Sequence, residues 1–102
     1  MDSLKLTPHE SVAIRHEDPE RLEVEATWGP EGSPPPKHFH PGQDEHFEVL
    51  DGALRVEVDG QERELRPGDT IDVPRGAVHR MWNAGVEPAR ARWVTSPAGA
   101  YE

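Results

Sequence analysis

The chain has 102 residues and a mass of 11.4 kDa, enough for one domain and one core. Its 20 Asp and Glu outnumber 11 Lys and Arg for a formal net charge of −9, which repels phosphate backbones and anionic membrane surfaces and predicts neither nucleic-acid nor membrane binding. Cysteine is absent, which excludes disulfides, thiolate metal sites and cysteine nucleophiles; at 33% hydrophobic residues, composition leaves patterning to decide whether the chain folds.

The start, Met1-Asp2-Ser3-Leu4-Lys5, has neither the basic segment nor the apolar stretch of a signal peptide. No apolar run approaches the ~20 residues that span a bilayer, and a soluble, cytoplasmic protein is expected. Leu4–Arg15 holds one apolar cluster, Val12-Ala13-Ile14, and reads as N-terminal edge structure over residues 3–16 that can pair with a second subunit. From Arg21 to Trp28 the residues alternate strictly: Leu22, Val24, Ala26 and Trp28 on one face, Arg21, Glu23, Glu25 and Thr27 on the other. That is a half-buried strand. The breaker-rich patch Gly29-Pro30-Glu31-Gly32-Ser33-Pro34-Pro35-Pro36 follows.

Leu54, Val56 and Val58 alternate with Arg55, Glu57 and Asp59, and Asp59-Gly60 supplies a hairpin turn into a return strand over Gln61–Leu65. Further short strands are expected at Glu45–Leu50, Thr70–Val73, Val78–Trp82 and Arg90–Thr95, with a barrel core over residues 20–95. The glycines and prolines leave no room for a helix of ordinary length, so a sandwich or small barrel is predicted. The tail, residues 96–102, reads as a loop leading into the start of a helix.

His38 and His40 flank Phe39 just after the proline patch. In an extended segment residues two apart project to the same side, so both imidazoles can reach one metal ion. Glu45 follows a short loop and opens a strand, and His79 lies in Val78-His79-Arg80. Three imidazoles and one carboxylate make a borderline-hard donor set suited to Mn, Fe, Co, Ni, Cu or Zn. The competing reading of His38 and His40 is a solvated surface loop.

The spacing carries a resemblance. Gly32, five residues, His38, one residue, His40, four residues, Glu45, six residues, Gly52 is similar at every fixed position to the first motif of the cupin superfamily. Gly68, five residues, Pro74, one residue, Gly76, two residues, His79, three residues, Asn83 resembles the second, after a spacer spanning Ala53–Pro67. The resemblance is tight over Gly32–Asn83 and covers the strand pattern over Arg21–Thr95.

It implies an all-β, antiparallel double-stranded β-helix, a jelly-roll barrel of six to eight strands, with one divalent transition metal (Mn, Fe, Ni, Cu or Zn) held by His38, His40, Glu45 and His79. Inward alternation from Glu45 places Phe47 and Val49 on the pocket lining, and from His79 it places Met81 there. His46, Glu48 and Arg80 point outward by the same parity. Gly52 and Gly68 turn the chain, and Pro74 and Gly76 shape the corner that aims His79 inward. His9, His16 and His46 lack partner spacing and read as exposed residues. Arg75, Arg80, Arg90 and Arg92 read as surface charge balance, with Arg92 near the inner wall as the anion-binding alternative, and Trp28, Trp82 and Trp93 read as packing before pocket lining.

The stretch His38–Glu45 resembles that of quercetin-dioxygenase-like cupins. By that likeness the chain is expected to be an oxidoreductase on a small enol, diol or phenol-type substrate, with Glu45 as ligand and catalytic base together. The same cage serves isomerases and lyases, and a non-catalytic metal or small-ligand module is the reading from another class. A metal closed off by four protein ligands in a structural zinc site is a further competitor. A phosphorylated substrate would call for convergent Lys and Arg, and Lys37 is the one lysine near the cage. A core this thin predicts stabilisation by metal and by homodimerisation.

Overall fold

The computed structural model describes residues 3–7 and 10–97. They form nine β-strands: β1 (Ser3–Thr7), β2 (Glu10–Glu17), β3 (Leu22–Trp28), β4 (Asp44–Asp51) and β5 (Leu54–Val58), then β6 (Gln61–Leu65), β7 (Thr70–Val73), β8 (His79–Trp82) and β9 (Ala89–Ser96). Among the described residues no helix is long and apolar enough to cross a membrane.

The strands pair antiparallel in two sheets, one of six in the order β1-β2-β3-β9-β4-β7 and one of three in the order β6-β5-β8. The sheets face each other across a single core, the architecture of an all-β double-stranded β-helix. Alternation explains which side chains enter it. On β3, Leu22, Val24, Ala26 and Trp28 are buried while Glu23, Glu25 and Thr27 between them are half-buried. On β4 the buried residues are Glu45, Phe47 and Val49. Leu54, Val56, Leu65 and Val73 close the core from the other strands.

Local chemistry fixes the connections. Asp59 and Gly60 both take positive φ, 49° and 83°, the paired left-handed conformations of the two-residue turn that joins twisted antiparallel strands. The pairing of Val58 with Gln61 on either side of that turn sets the β5–β6 register.

Leu4–Arg15 is two strands, β1 and β2, and β2 is occupied on both sides, by β1 and by β3 of the same chain. Of these two strands, β1 is the one at the sheet edge. This second strand raises the number above the six to eight expected. At the other end β9 runs through Ser96, and the helix start expected beyond Pro97 falls outside the described residues, as does His9.

Candidate metal centre

Two segments far apart in sequence are tied together at the backbone. The His38 N–H donates to the His79 carbonyl at 3.0 Å, and the His79 N–H donates to the His38 carbonyl at 2.8 Å. This antiparallel bridge lays the segment after the proline patch along β8. The Gly76 N–H donates to the His40 carbonyl at 2.9 Å, so the corner before β8 also holds the second histidine. Strand β4 is anchored to that corner by Arg75, whose backbone N–H and guanidinium donate to Asp44 at 2.9 to 3.2 Å. Glu45 is the next residue.

These ties bring the three imidazoles together. One nitrogen from each of His38, His40 and His79 lies within 4.8 Å of the others, with ring centroids 4.3 to 5.7 Å apart. Glu45 Oε1 stands 2.9 Å from His79 Nε2 and 3.6 Å from His40 Nε2. Its other oxygen, Oε2, accepts a hydrogen bond from Trp93 Nε1 at 2.7 Å.

Protonation sharpens the arrangement. His79 Nδ1 lies 2.9 Å from the Ala77 carbonyl oxygen, which assigns the ring proton to Nδ1 and turns the Nε2 lone pair toward Glu45 Oε1. Two lone pairs at that distance repel unless a proton or a cation lies between them. Burial disfavours the His79 imidazolium, but the Glu45 carboxylate and the Ala77 carbonyl outweigh it and hold His79 above the ordinary histidine value. His38, although exposed as a residue, moves the other way, lowered first by partial desolvation of its ring and then by the neighbouring His79, against the pull of the Pro36 carbonyl.

The donor set fits a divalent cation. Glu45 Oε1 is buried and, with the His79 ring proton on Nδ1, has no hydrogen-bond donor, a costly state for a carboxylate oxygen unless a cation, or a second proton on His79, satisfies it. Two atoms bound to one ion at ~2.1 Å lie at most ~4.2 Å apart, so the 4.8 Å bound on the histidine nitrogens needs less than about 1 Å of contraction. The carbonyls of Pro36 and Ala77 orient His38 and His79 from behind, as outer partners of metal-binding histidines do.

Behind the imidazoles lies a cavity of about 100 Å³. His38, Glu45 and His79 form one wall, and Phe47, Met81, Trp28 and Trp93 with Pro35 and Glu10 form the rest. Val49, expected beside Phe47 on this lining, is placed differently. It sits two residues further along β4, 1% exposed, and packs within the core. Parity turned Val49 inward as foreseen, but the cavity ends one residue pair short of it.

Trp93 carries more of the site than its reading as packing suggested. Alternation along Ala89, Ala91, Trp93 and Thr95 shares one face, and that signal was available in the sequence. The same parity turns Arg92 outward, in keeping with surface charge balance: it pairs with Glu48 at 3.2 Å and Glu23 at 3.6 Å rather than reaching the inner wall. His46 Nδ1 lies 2.7 Å from Asp72 Oδ1, and Glu48 and Arg80 are ion-paired with Arg92 and Glu57.

Comparison with known proteins follows the same outline. The cupin domain family matches residues 24–95. An oxidoreductase of Arthrobotrys oligospora is 37% identical over 75 residues, covering 72% of this chain and 27% of that protein. Quercetin 2,3-dioxygenase of Bacillus subtilis is 35% identical over 71 residues, covering 70% of this chain and 21% of its own. The chain thus spans about a quarter of the length of these two curated relatives. Among solved structures, KdgF from Halomonas sp. superposes with a TM-score of 0.85 at 24% identity, covering 98% of this chain and 89% of that one, a likeness of fold. The family match runs from β3 through both histidine-bearing segments to β9, and the chain belongs to the cupin domain family.

Proposed function

We propose that this cupin is a metal-dependent oxidoreductase of dioxygenase type, acting on a small enol, diol or phenol-like substrate. In this reading His38, His40, Glu45 and His79 hold one redox-active divalent metal: Fe, Mn, Ni or Cu. The observation that carries it is the buried, unpartnered Glu45 Oε1 beside the His40 and His79 nitrogens. The names of the relatives, an oxidoreductase and a quercetin dioxygenase, favour oxidative chemistry over isomerisation.

The bound metal would supply the electron transfer and charge stabilisation that let a substrate anion react with dioxygen. The chain's own residues do the rest. Glu45 takes the substrate proton. His38 is exposed and His40 half-buried, so substrate approaches from their side, while Phe47, stacked on Trp93 at 5.4 Å between centroids, and Met81 wall the interior against water. A cavity of about 100 Å³ has the volume of roughly three waters. It is well below the ~300–1,000 Å³ of drug-sized ligand sites, which favours a small substrate, or a larger one that presents only its reacting edge.

The test is metal analysis of protein purified without a histidine tag, then oxygen uptake by the metal-loaded protein on flavonols, diketones and catechols. Stoichiometric redox metal, with uptake abolished in His79→Ala, is the expected result. Zinc alone, or tight ligand binding without uptake, would instead support a structural site or a non-catalytic binding module.

A further inference from the structure

We infer that Trp93 is a positioning residue for Glu45: its indole N–H holds Oε2, so the carboxylate offers Oε1 alone to the histidine cluster and to a metal bound there. The inference rests on the metal-centre reading above and adds to it what decides how Glu45 can act.

The geometry is specific. Glu45 lies opposite Thr95, and Phe47 opposite Trp93, on the adjacent strands β4 and β9. Glu45 and Trp93 are therefore diagonal neighbours, a distance that only a long or aromatic side chain closes. The bond is 2.7 Å long and has a charged acceptor, which places it among the stronger hydrogen bonds. The indole is braced in turn, its ring stacked on Phe47 at an interplanar angle of 24°. On its other side β3 places Val24 opposite Trp93. A carboxylate free at both oxygens can chelate an ion or swing away from it. With Oε2 engaged, Glu45 retains one oxygen for the metal, and the same Oε1 is the atom left to accept a proton when it releases the ion.

A single set of measurements on the full, tag-free chain tests this. The three tryptophans give three indole N–H signals in 15N-labelled metal-free protein. Glu45→Ala is expected to shift one of them and speed its exchange, and that signal is the one missing from Trp93→Phe, which keeps an aromatic ring against Phe47. Co²⁺ is the metal probe. Trp93→Phe is expected to weaken Co²⁺ binding about ten- to a hundred-fold, in line with outer-partner losses at other metal sites, and to alter the Co²⁺ absorption spectrum. In the Glu45→Ala background the same change should alter affinity by no more than about two-fold.

Equal losses in both backgrounds, or no loss in the wild-type background, overturn the role of Trp93 while leaving the metal centre standing. Wild-type protein that takes up no Co²⁺ overturns the metal-centre reading and this inference with it. Should Trp93→Phe fail to fold, the Glu45→Ala spectrum decides alone: three indole signals indifferent to that substitution overturn the inference.

Discussion

Gly52 lies directly against Pro88. A Cβ at position 52 would stand 2.4 Å from the Pro88 carbonyl oxygen and 2.9 Å from Ala89 Cα, and the residue has φ of +73°. Both obstacles are backbone, so neither yields by a rotamer change. Gly60, with φ of +83°, has nothing near its missing Cβ. Gly60→Ala should therefore cost about 1–2 kcal/mol, the strain of a left-handed residue. Gly52→Ala should cost that plus a further ~1–3 kcal/mol for overpacking. Urea midpoints of the two variants check the difference, and equal losses would remove the packing argument.

Stability should fall as the pH drops, through carboxylates paired with cations. The Arg90 guanidinium holds Glu25 below the ordinary value of 4.5, with Arg15 adding to it; Lys37 and then Arg80 do the same for Glu57, and Arg75 lowers Asp44 below 3.8. A carboxylate with a lowered folded pKa stabilises fully above its unfolded pKa and loses that contribution as pH drops through the folded one. The loss should set in near pH 4.5 and continue below it. Glu25→Gln should flatten the urea midpoint against pH over that interval. An unchanged slope would mean that the Arg90 pair contributes nothing in solution.

Period-2 alternation carries most of what the sequence discloses here. It placed β3 to within one residue, turned Glu45, Phe47 and Met81 inward, and marked the Asp59-Gly60 hairpin, because one face of the strand is buried and a slip of one residue would reverse it. The spacing of His38, His40, Glu45 and His79 singled out four residues whose donor atoms the fold brings close. What stayed hidden is set by long-range pairing. Leu4–Arg15 contains too weak an alternation to reveal that it holds two paired strands, and that Trp93 reaches Glu45 depends on the β4–β9 register, which no local pattern encodes.

Asn83 closes its motif in a way that only the structure displays. It is 1% exposed; its amide nitrogen donates to the carbonyls of Glu87 at 2.7 Å and Trp28 at 3.3 Å, and its side-chain oxygen accepts from the Gly85 N–H at 2.9 Å. It lines none of the cavity behind the histidines. Asn83→Asp loses both donations and sets a carboxylate against two carbonyls, while Asn83→Ala leaves the three backbone groups without their partner. Each substitution should cost at least about 2–3 kcal/mol, since every buried group left unpaired costs ~1–3. The folded remainder should bind metal as the parent does. A variant of normal stability and weakened metal affinity would assign Asn83 to the site after all.

The unpartnered Glu45 oxygen makes stability depend on what occupies the centre. A ligand that binds only the folded chain at a hundred times its Kd adds about 2.7 kcal/mol. For a domain of this size each kcal/mol moves Tm by ~4–8 °C, so metal should raise the melting temperature by roughly 10–20 °C and a strong chelator should reverse the shift. His79→Ala removes a nearly buried imidazole that faces Glu45, and its melting temperature should respond to neither addition. The comparison separates a metal that fills the centre from one that adheres to the acidic surface, because the surface carboxylates are the same in both proteins. An identical metal-induced shift in parent and variant would place the ion elsewhere, and no shift in parent protein shown by elemental analysis to have exchanged its metal would leave the buried carboxylate to be satisfied by a proton on His79.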